Sequence, residues 1–388
     1  FRQYQQADQA ADIAEIAKAM PDTAALLTWH DAGDRYVCLS MHQGHLAIRE
    51  VARDSAFDGQ LGRFITLLND KAAQETQPES FLALSRYLGE KLLPPDLLSA
   101  AKAFIMVPDG QLCRLPFEVL LTQPHEGFFS KAPYLLRSHT LRYVWSASLL
   151  AAPAPRQHRV SGILHCAPFV SRARDGLPVL SHSLRDMPPA LHAQVRQSEA
   201  ATSADFLQKA PHYAILHLST HASVSLPEPG IEFYDRRLLR SDIYAQRLST
   251  QLVSLSACET GSGELAQSEG VLSLARAFAY AGAKSMVASL WSVNESSTAD
   301  LFSAFYEHLD RGLSRSEALR QAKLRYLEGS EMEARKLPFY WAALTLSGDD
   351  GPVDLSSPTP WLWWVLGAAA ALGLAAIWWR RRQRRLAK

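Results

Sequence analysis

The sequence predicts an α/β fold with a mainly parallel sheet, because short apolar runs alternate with longer segments whose apolar residues recur at helical spacing. Regularly spaced polar residues do not interrupt the apolar runs, which is typical of strands covered by helices on both faces. Glycine, proline and aspartate signals separate the runs. We expect two such series, followed by one C-terminal transmembrane helix.

The first series occupies the first 150 residues. Residues 1–22 are expected to form a helical lead-in, since alanine, isoleucine and acidic residues recur at helical spacing before Pro21. This helix could be the end of an upstream helical repeat array. Residues 23–150 then form one α/β unit. Its predicted elements are an antiparallel meander around 26–27, 36–41 and 46–51, helices near 61–68 and 81–93, and a strand at 103–107.

The second series spans residues 151–348. Its strand candidates are Gly162–Cys166, Ala214–Leu218, Leu252–Ala257 and Ser285–Leu290. Its predicted helices are 202–209, 272–281, 294–309 and 314–327, and the last of these opens with the capping pair Ser314 and Glu317. These elements predict a parallel sheet that helices cover on both faces.

The C-terminal end differs in composition from both series. Residues 349–360 are rich in glycine, aspartate, serine and proline and are expected to be a linker. Residues 361–379 form an uncharged run bounded by tryptophans, long enough to span a bilayer core of about 30 Å. A buried helix is the alternative, but the run is apolar on every side and a basic tail, 380–388, follows it.

Charge gives no support for a nucleic-acid-binding function. The chain has 40 Lys and Arg against 39 Asp and Glu, and six of its basic residues lie in the tail. Without those six, the net charge changes from +1 to −5, and no basic stripe is evident in the remainder. The chain also begins at Phe1 without a methionine, which indicates a fragment or a processed form.

The four cysteines are Cys38, Cys113, Cys166 and Cys258, and no two of them form a CxxC pair. This spacing predicts neither a zinc site nor a disulfide framework, and leaves a thiol free for chemistry. The sequence also has no phosphate-binding glycine loop with a lysine and no metal-spaced cluster. We therefore expect no cofactor.

Two predicted strands end in residues that could form a catalytic pair. His221 follows the strand at 214–218, and Cys258 follows the strand at 252–257. In a parallel α/β sheet, active sites lie beyond the carboxyl ends of the strands, so neighbouring strands would bring both side chains to one edge. A cysteine nucleophile needs such a base, because little thiolate exists at neutral pH without one. From the residues alone, a buried and inert cysteine at the end of a strand is the commoner interpretation.

A longer set of motifs resembles the CHAT-domain family of caspase-like cysteine peptidases, in the caspase and separase clan. The run Leu252–Gly261 is similar to the nucleophile segment of that family, and His217–His221 to its histidine motif. The other similar segments, in chain order, are Pro108–Gly110, Leu115–Glu118, Glu269–Val271, Ala288–Trp291, Ala318–Arg320 and Pro338–Ala342. Each motif is a hypothesis, and the resemblance covers roughly residues 20–350.

This resemblance implies a caspase-like fold in two halves, a non-catalytic half at 23–150 and a catalytic half at 151–348. It implies His221 as the base and Cys258 as the nucleophile, with backbone N–H groups of Ala222 and Cys258 forming the oxyanion hole. His217, within the strand, is expected to be a hydrogen-bonded core residue. Ala222 stands where the family usually has glycine, and its Cβ is costly only if its φ is positive.

Three further residues are candidates for a substrate pocket. Glu259 and Glu269 could bind a basic side chain of the substrate, although solvated or capping carboxylates are the commoner alternative. Trp291 could form a pocket wall, although large aromatic side chains mostly serve packing.

The predicted function is therefore a regulated cysteine endopeptidase that acts on a protein substrate. The alternatives are a catalytically inactive scaffold at a membrane and a thiol redox sensor, which would need a resolving cysteine near Cys258. The family often carries upstream helical repeats, which implies a regulatory protein partner. The basic tail is expected to remain cytoplasmic, which places the catalytic body on the extracytoplasmic side. A tail-anchored cytosolic body and a cleaved sorting tail are the alternatives.

Overall fold

The computed structural model describes residues 12–152, 160–173, 177–187, 191, 193–223, 228–257, 274–292, 294–329 and 332–353. In these residues the chain has a mixed α/β fold built on one large, mostly parallel sheet. The 14 described strands are β1 Ala24–Asp31, β2 Arg35–His42, β3 His45–Ala52, β4 Ala103–Val107, β5 Thr140–Tyr143, β6 Ile163–Ala167, β7 Gln194–Gln197, β8 Ile215–Thr220, β9 Ala222–Ser223, β10 Gly230–Glu232, β11 Arg237–Leu239, β12 Leu252–Ala257, β13 Ser285–Ser289 and β14 Leu344–Gly348.

The helices lie between these strands and cover the sheet. They are Ile13–Ala19, Ser55–Asn69, Lys71–Thr76, Pro78–Leu92, Pro95–Ala100, Leu135–Ser138, Ser148–Ala151, Ser203–Lys209, Arg240–Tyr244, Glu295–Asp310, Arg315–Gly329 and Pro338–Trp341. Residues 274–281 are also helical. Side-chain caps fix several of the helix starts. Asp54 accepts a hydrogen bond from the N–H of Phe57, and Asn294 accepts from the N–H groups of Ser296 and Ser297.

Eleven strands form the large sheet in the order β3-β2-β1-β4-β5-β14-β13-β12-β8-β6-β7. Its pairs β2–β3, β1–β2 and β13–β14 are antiparallel, and its other neighbouring pairs are parallel. β14 is parallel to β5 but antiparallel to β13. The carboxyl ends of β1, β4, β5 and β14 therefore lie at the opposite sheet edge from those of β13, β12, β8 and β6.

The first three strands form the antiparallel meander that the sequence predicts. The turn between β2 and β3 consists of Gln43 and Gly44, and both residues have a positive φ, at 49° and 79°. His42 and His45 are the paired residues on either side of this turn. A two-residue turn with positive φ at both positions matches the twist of a hairpin, which explains the regular register of these strands.

Alternating side chains of the strands divide between two faces of the sheet. One apolar core runs under both halves and contains Leu27, Phe104 and Ile215. On the other face, a second core lies over the β8–β12 region, and a third over β1 and β4. The helices thus cover both faces of the sheet, as the apolar strands predict.

A buried ion pair connects an early segment to a late helix. Lys323, on the helix Arg315–Gly329, lies with its Nζ 3.2 Å from Oε1 of Glu118, and both side chains are almost completely buried. The hydroxyl of Tyr143 donates to the other carboxylate oxygen at 2.6 Å. Burial lowers the pKa of Lys323, and the nearby Glu118 carboxylate opposes this effect. This contact links β5 to the helix Arg315–Gly329.

Several predicted segments fall wholly or partly outside the described residues. These include most of the lead-in 1–22, the linker 349–360, the span 361–379 and the tail 380–388. Within the described ranges, no helix is both long enough and apolar enough to cross a bilayer. The domain boundaries and the transmembrane helix stay predictions.

Candidate active site

The site is built at the carboxyl ends of β8 and β12, which are parallel neighbours in the sheet. Their register pairs His217 with Ser254 and, at the ends of the strands, Thr220 with Ala257. His221 is the residue after Thr220, and Cys258 is the residue after Ala257. The register therefore ends one residue before each member of the predicted catalytic pair. Cys258 itself lies outside the described residues.

His221 is buried, with 1% of its surface exposed. Its Nε2 lies 2.9 Å from the backbone oxygen of Pro178, and the ring of Phe169 meets its ring edge-on at a centroid distance of 5.0 Å. A carbonyl oxygen can only accept a hydrogen bond, so Nε2 must carry the proton. In the neutral ring, Nδ1 is then the unprotonated nitrogen and can accept a proton.

Nδ1 of His221 is buried and has no hydrogen-bond partner among the residues that the structure describes. Leaving a buried polar atom without a partner costs about 1–3 kcal/mol, so native proteins rarely do so without a reason. The other ring nitrogen, Nε2, is held in a hydrogen bond of ordinary length. His221 is thus a fixed imidazole with one basic nitrogen available, which is the arrangement that a general base requires.

Ala222 lies in β9, opposite Ile231 of β10. The N–H of Glu232 donates to the oxygen of His221 at 2.8 Å, which identifies Ala222 and Ile231 as a non-hydrogen-bonded antiparallel pair. The N–H of Ala222 therefore points away from β10. Among the described residues other than glycine, a positive φ occurs only at Gln43 and Ser198. The alanine thus avoids the strain expected of a Cβ at a position with positive φ.

Comparison with known proteins shows the family of this chain. The family model of the CHAT domain matches residues 82–349, which is more than half of the chain. This chain belongs to the CHAT-domain family.

Other comparisons give more distant similarity. Tetratricopeptide repeat protein 28 of Mus musculus is 35% identical over 122 residues, and its Homo sapiens counterpart is 34% identical over 122 residues. Both matches cover 31% of this chain and only 5% of the relative. Among solved structures, the Saccharomyces cerevisiae separase–securin complex is similar, with a TM-score of 0.54 and 10% identity over 87% of this chain and 30% of that one. Similarity at this identity reflects the fold alone.

In this CHAT domain, the two histidines of the motif His217–His221 have different surroundings. His217 is completely buried, and its Nδ1 lies 2.9 Å from the hydroxyl of Tyr306, which donates to Ser254 at 2.7 Å. His217 is therefore the hydrogen-bonded core residue that the sequence predicts. On the neighbouring strand β6, Nε2 of His165 lies 2.8 Å from the hydroxyl of Ser219, and burial lowers the pKa of His165 well below the usual value.

The structure describes only one of the three residues predicted to line a substrate pocket. Glu259 and Glu269 lie outside the described residues of the CHAT domain. Trp291 is 5% exposed, belongs to the main core, and donates its indole N–H to the oxygen of Phe339 at 3.0 Å. This placement favours the packing role of Trp291, and its contribution to a substrate pocket stays a prediction. No group of three or more His, Cys, Asp and Glu in the described ranges could hold a metal ion.

Pro178 and Phe169 are the residues of this site that the sequence did not predict. Pro178 acts through its backbone oxygen, which every residue type has, and Phe169 resembles any core aromatic residue in the sequence. Both lie in the connection that follows β6. The one sequence signal was that this connection leaves the carboxyl end of a parallel strand, where functional loops are expected.

Proposed function

We propose that this chain is a cysteine-type endopeptidase that hydrolyses peptide bonds of a protein substrate through a thioester intermediate. The observation that carries the proposal is His221, a buried imidazole with Nε2 bonded to Pro178 and Nδ1 without a partner among the described residues. Membership of the CHAT-domain family and the similarity to the separase fold support this function.

The strand register supports pairing of His221 with Cys258. Thr220 and Ala257 are opposite each other, and consecutive Cα atoms are about 3.8 Å apart. His221 and Cys258 are therefore each one residue, or about 3.8 Å between Cα atoms, beyond a paired position. Under this proposal the sulfur of Cys258 faces Nδ1 of His221.

The proposed reaction begins when Nδ1 of His221 takes the proton of the Cys258 thiol. The thiolate attacks the carbonyl carbon of the substrate and forms a tetrahedral intermediate with a negatively charged oxygen. The C–N bond then breaks, and the amine leaves with the proton from His221. Water, deprotonated by the same nitrogen, hydrolyses the thioester and restores the thiol.

The N–H groups of Ala222 and Cys258 are the proposed oxyanion hole. The N–H of Ala222 points away from β10, so the small sheet does not use it. Backbone donors directed at a developing negative charge are usually a large contribution to acyl-transfer catalysis. Alanine provides this donor as well as glycine does, because only the N–H is needed.

The proposed partners are proteins. Separase was solved in complex with securin, and the curated relatives are tetratricopeptide repeat proteins of which this chain spans about 5%. We propose that a protein partner, acting through upstream helical repeats, regulates this peptidase. Glu259, Glu269 and Trp291 are proposed to line the substrate pocket, and the carboxylates would favour a basic substrate residue.

We also propose that residues 361–379 anchor the chain in a membrane, with the basic tail cytoplasmic and the catalytic body on the other side. Protease treatment of intact and opened cells tests this orientation. Digestion of the catalytic body by protease added outside an intact membrane supports this orientation. Protection of the catalytic body until the membrane is opened contradicts it.

The peptidase is tested by labelling the purified full chain with peptidyl acyloxymethyl ketones that differ in their terminal residue. We expect an adduct on Cys258 that depends on the peptide, is absent in Cys258→Ala and forms roughly 10²–10⁴ times more slowly in His221→Ala. His217→Ala removes a histidine of the same motif outside the proposed chemistry and is the matched control. An unlabelled Cys258, or equal labelling without His221, would favour the inactive scaffold.

A further inference from the structure

The segment that carries Pro178 is attached to the helix Glu295–Asp310 by a carboxylate. The N–H of His182 donates to the Glu295 side chain, and Nδ1 of His182 lies 3.5 Å from Oε2 of the same carboxylate. Five residues along the helix, Asp300 accepts from Arg185 at 3.1 Å. The segment 177–187 thus has two polar attachments to one helix.

The two attachments differ in burial. The side chain of Glu295 is 27% exposed, whereas those of Asp300 and Arg185 are 47% and 58% exposed. A hydrogen bond from a backbone N–H to a partly buried carboxylate is stronger and better ordered than an exposed ion pair. Glu295 is therefore the main polar attachment of this segment to the helix.

The segment is also anchored on the side of Phe169, and Met187 at its end is buried in the main core. The N–H of Leu180 donates to the oxygen of Phe169 at 2.9 Å, and the side chain of Leu180 is 7% exposed. Pro178 lies two residues before Leu180 and four before His182. The position of the Pro178 oxygen, which bonds the His221 ring, therefore depends on the short stretch 178–182. Phe169 holds this stretch at Leu180, and Glu295 holds it at His182.

We propose that Glu295 is a positioning residue for His221. It holds His182, and through the short segment it keeps the Pro178 oxygen at hydrogen-bonding distance from Nε2. This fixes the tautomer in which Nδ1 is free to act as a base. Glu295 touches no reacting atom and acts only through this segment. The importance of the positioning for catalysis rests on the proposed peptidase function, whereas the effect on the ring does not.

The test combines two measurements on the full chain. The first is ¹⁵N NMR of the histidine rings, with the His221 signal assigned by comparison with His221→Ala. The second is the rate at which a peptidyl acyloxymethyl ketone labels Cys258. The variants are Glu295→Ala and Glu295→Gln, and the matched control is Glu307→Ala, which removes a carboxylate of the same helix that bonds Arg325 instead.

We expect wild type and Glu307→Ala to have His221 in the Nε2–H tautomer. Glu295→Ala should mix the two tautomers and slow labelling by between about 10- and 100-fold. Glu295→Gln keeps an acceptor for the His182 N–H and should lose less. This graded recovery by a conservative change distinguishes positioning from general loss of structure, which circular dichroism checks independently.

A His221 tautomer that Glu295→Ala leaves unchanged, relative to Glu307→Ala, would overturn the positioning role, whatever the labelling result. If the tautomer changes but wild-type Cys258 is not labelled, the positioning stands and the peptidase proposal fails. If the wild type is labelled and Glu295→Ala is labelled at the same rate, His221 does not depend on Glu295 for reactivity, and the proposal is wrong.

Discussion

The carboxyl ends of β1 and β4, in the first half, lie at the opposite edge of the sheet from those of β8 and β12, in the second half. Charged side chains at the first edge pair with one another, whereas His221 at the second edge has a ring nitrogen without a partner among the described residues. At the first-half edge, beyond β1 and β4, the N–H of Asp31 donates to Asp109 at 2.9 Å, and Arg53 bonds both Asp31 and Asp58. At the second-half edge, Nδ1 of His221 has no partner among the described residues, and the N–H of Ala222 points away from its neighbouring strand.

This difference suggests how one architecture can have two roles. Polar groups that satisfy one another stabilise an edge but have no capacity left for a substrate. A polar group that is held in place without a hydrogen-bond partner lowers the stability of the fold. The same group can stabilise a charge that develops on the substrate during a reaction. We therefore expect substitutions at the first edge to change mainly stability, and substitutions at the second to change mainly reactivity.

Breaking the buried ion pair that connects the halves has the largest expected effect on stability. Lys323→Met leaves the Glu118 carboxylate buried without its cation, which should lower the free energy of unfolding by about 3–5 kcal/mol. Urea denaturation measures this change. Adding Glu118→Gln should restore much of the loss, because the amide oxygen still accepts from Tyr143.

Arg325→Met is the matched control for this prediction. It removes a cation from the same helix, but the Arg325 side chain is 57% exposed and pairs with Glu307 at the surface. We expect a change below about 0.5 kcal/mol. Equal losses in the Lys323 and Arg325 variants would mean that the buried pair does not hold the halves together.

Removing the ion-pair network of the first edge should separate stability from reactivity. Arg53 has a side chain only 13% exposed, and Arg53→Ala leaves two carboxylates without their cation. The expected loss in the free energy of unfolding is about 2 kcal/mol. Labelling of Cys258 by a peptidyl ketone should stay within about twofold of wild type, because the two edges are at opposite ends of the sheet and share no hydrogen-bond partner among the described residues.

Arg35→Ala is the control at the same end of the sheet. The Arg35 side chain is 45% exposed and pairs with Asp34 and Glu50, so its removal should change stability little. A large fall in Cys258 labelling caused by Arg53→Ala would contradict the separation of the two edges.

Alkaline pH should reveal two inert thiols, one in each half. Burial raises the pKa of Cys38 and of Cys166 to about 12, from an ordinary value of 9.0. The folded protein keeps thiol protons that the unfolded chain releases above pH 9. The stabilisation is therefore complete well below pH 9 and is lost as the pH rises from about 9 towards 12, by about 1.4 kcal/mol per thiol at pH 10.

Urea denaturation at pH 8, 9 and 10 measures this loss. Replacing Cys38 and Cys166 with alanine should reduce the dependence, and buried tyrosines whose pKa values are also raised, Tyr36, Tyr134 and Tyr143, contribute the remainder. Cys113→Ala, which removes a thiol that is only half-buried, is the control. An unchanged slope in the double variant would indicate that other groups cause the loss.

The apolar pattern of the sequence predicted the central strands of the sheet, but not the strand that lies between its two halves. β12 has the bounds expected from its apolar run, Leu252–Ala257, because a strand buried on both faces has a strong local pattern. β14 was not predicted. It is only five residues long, and its place between β5 and β13 depends on pairing with residues distant in sequence.

Only those parts of the candidate site that depend on the chemistry of a side chain could be predicted from the sequence. His221 was recognised from its motif, and the structure describes its surroundings. The contribution of Pro178 was hidden because it is a backbone oxygen. The backbone conformation of Ala222 was also hidden, since it follows from the pairing of β9 with β10, in which Ala222 is opposite Ile231, nine positions away.

The most direct test of the central claim is a crystal structure of the chain with a peptidyl ketone bound to Cys258. We predict the sulfur of Cys258 within about 4 Å of Nδ1 of His221, with Nε2 still bonded to the oxygen of Pro178. The oxygen of the adduct should accept a hydrogen bond from the N–H of Ala222. If Nδ1 instead bonds another protein group and the sulfur lies beyond its reach, His221 is not the base and the proposed mechanism is wrong.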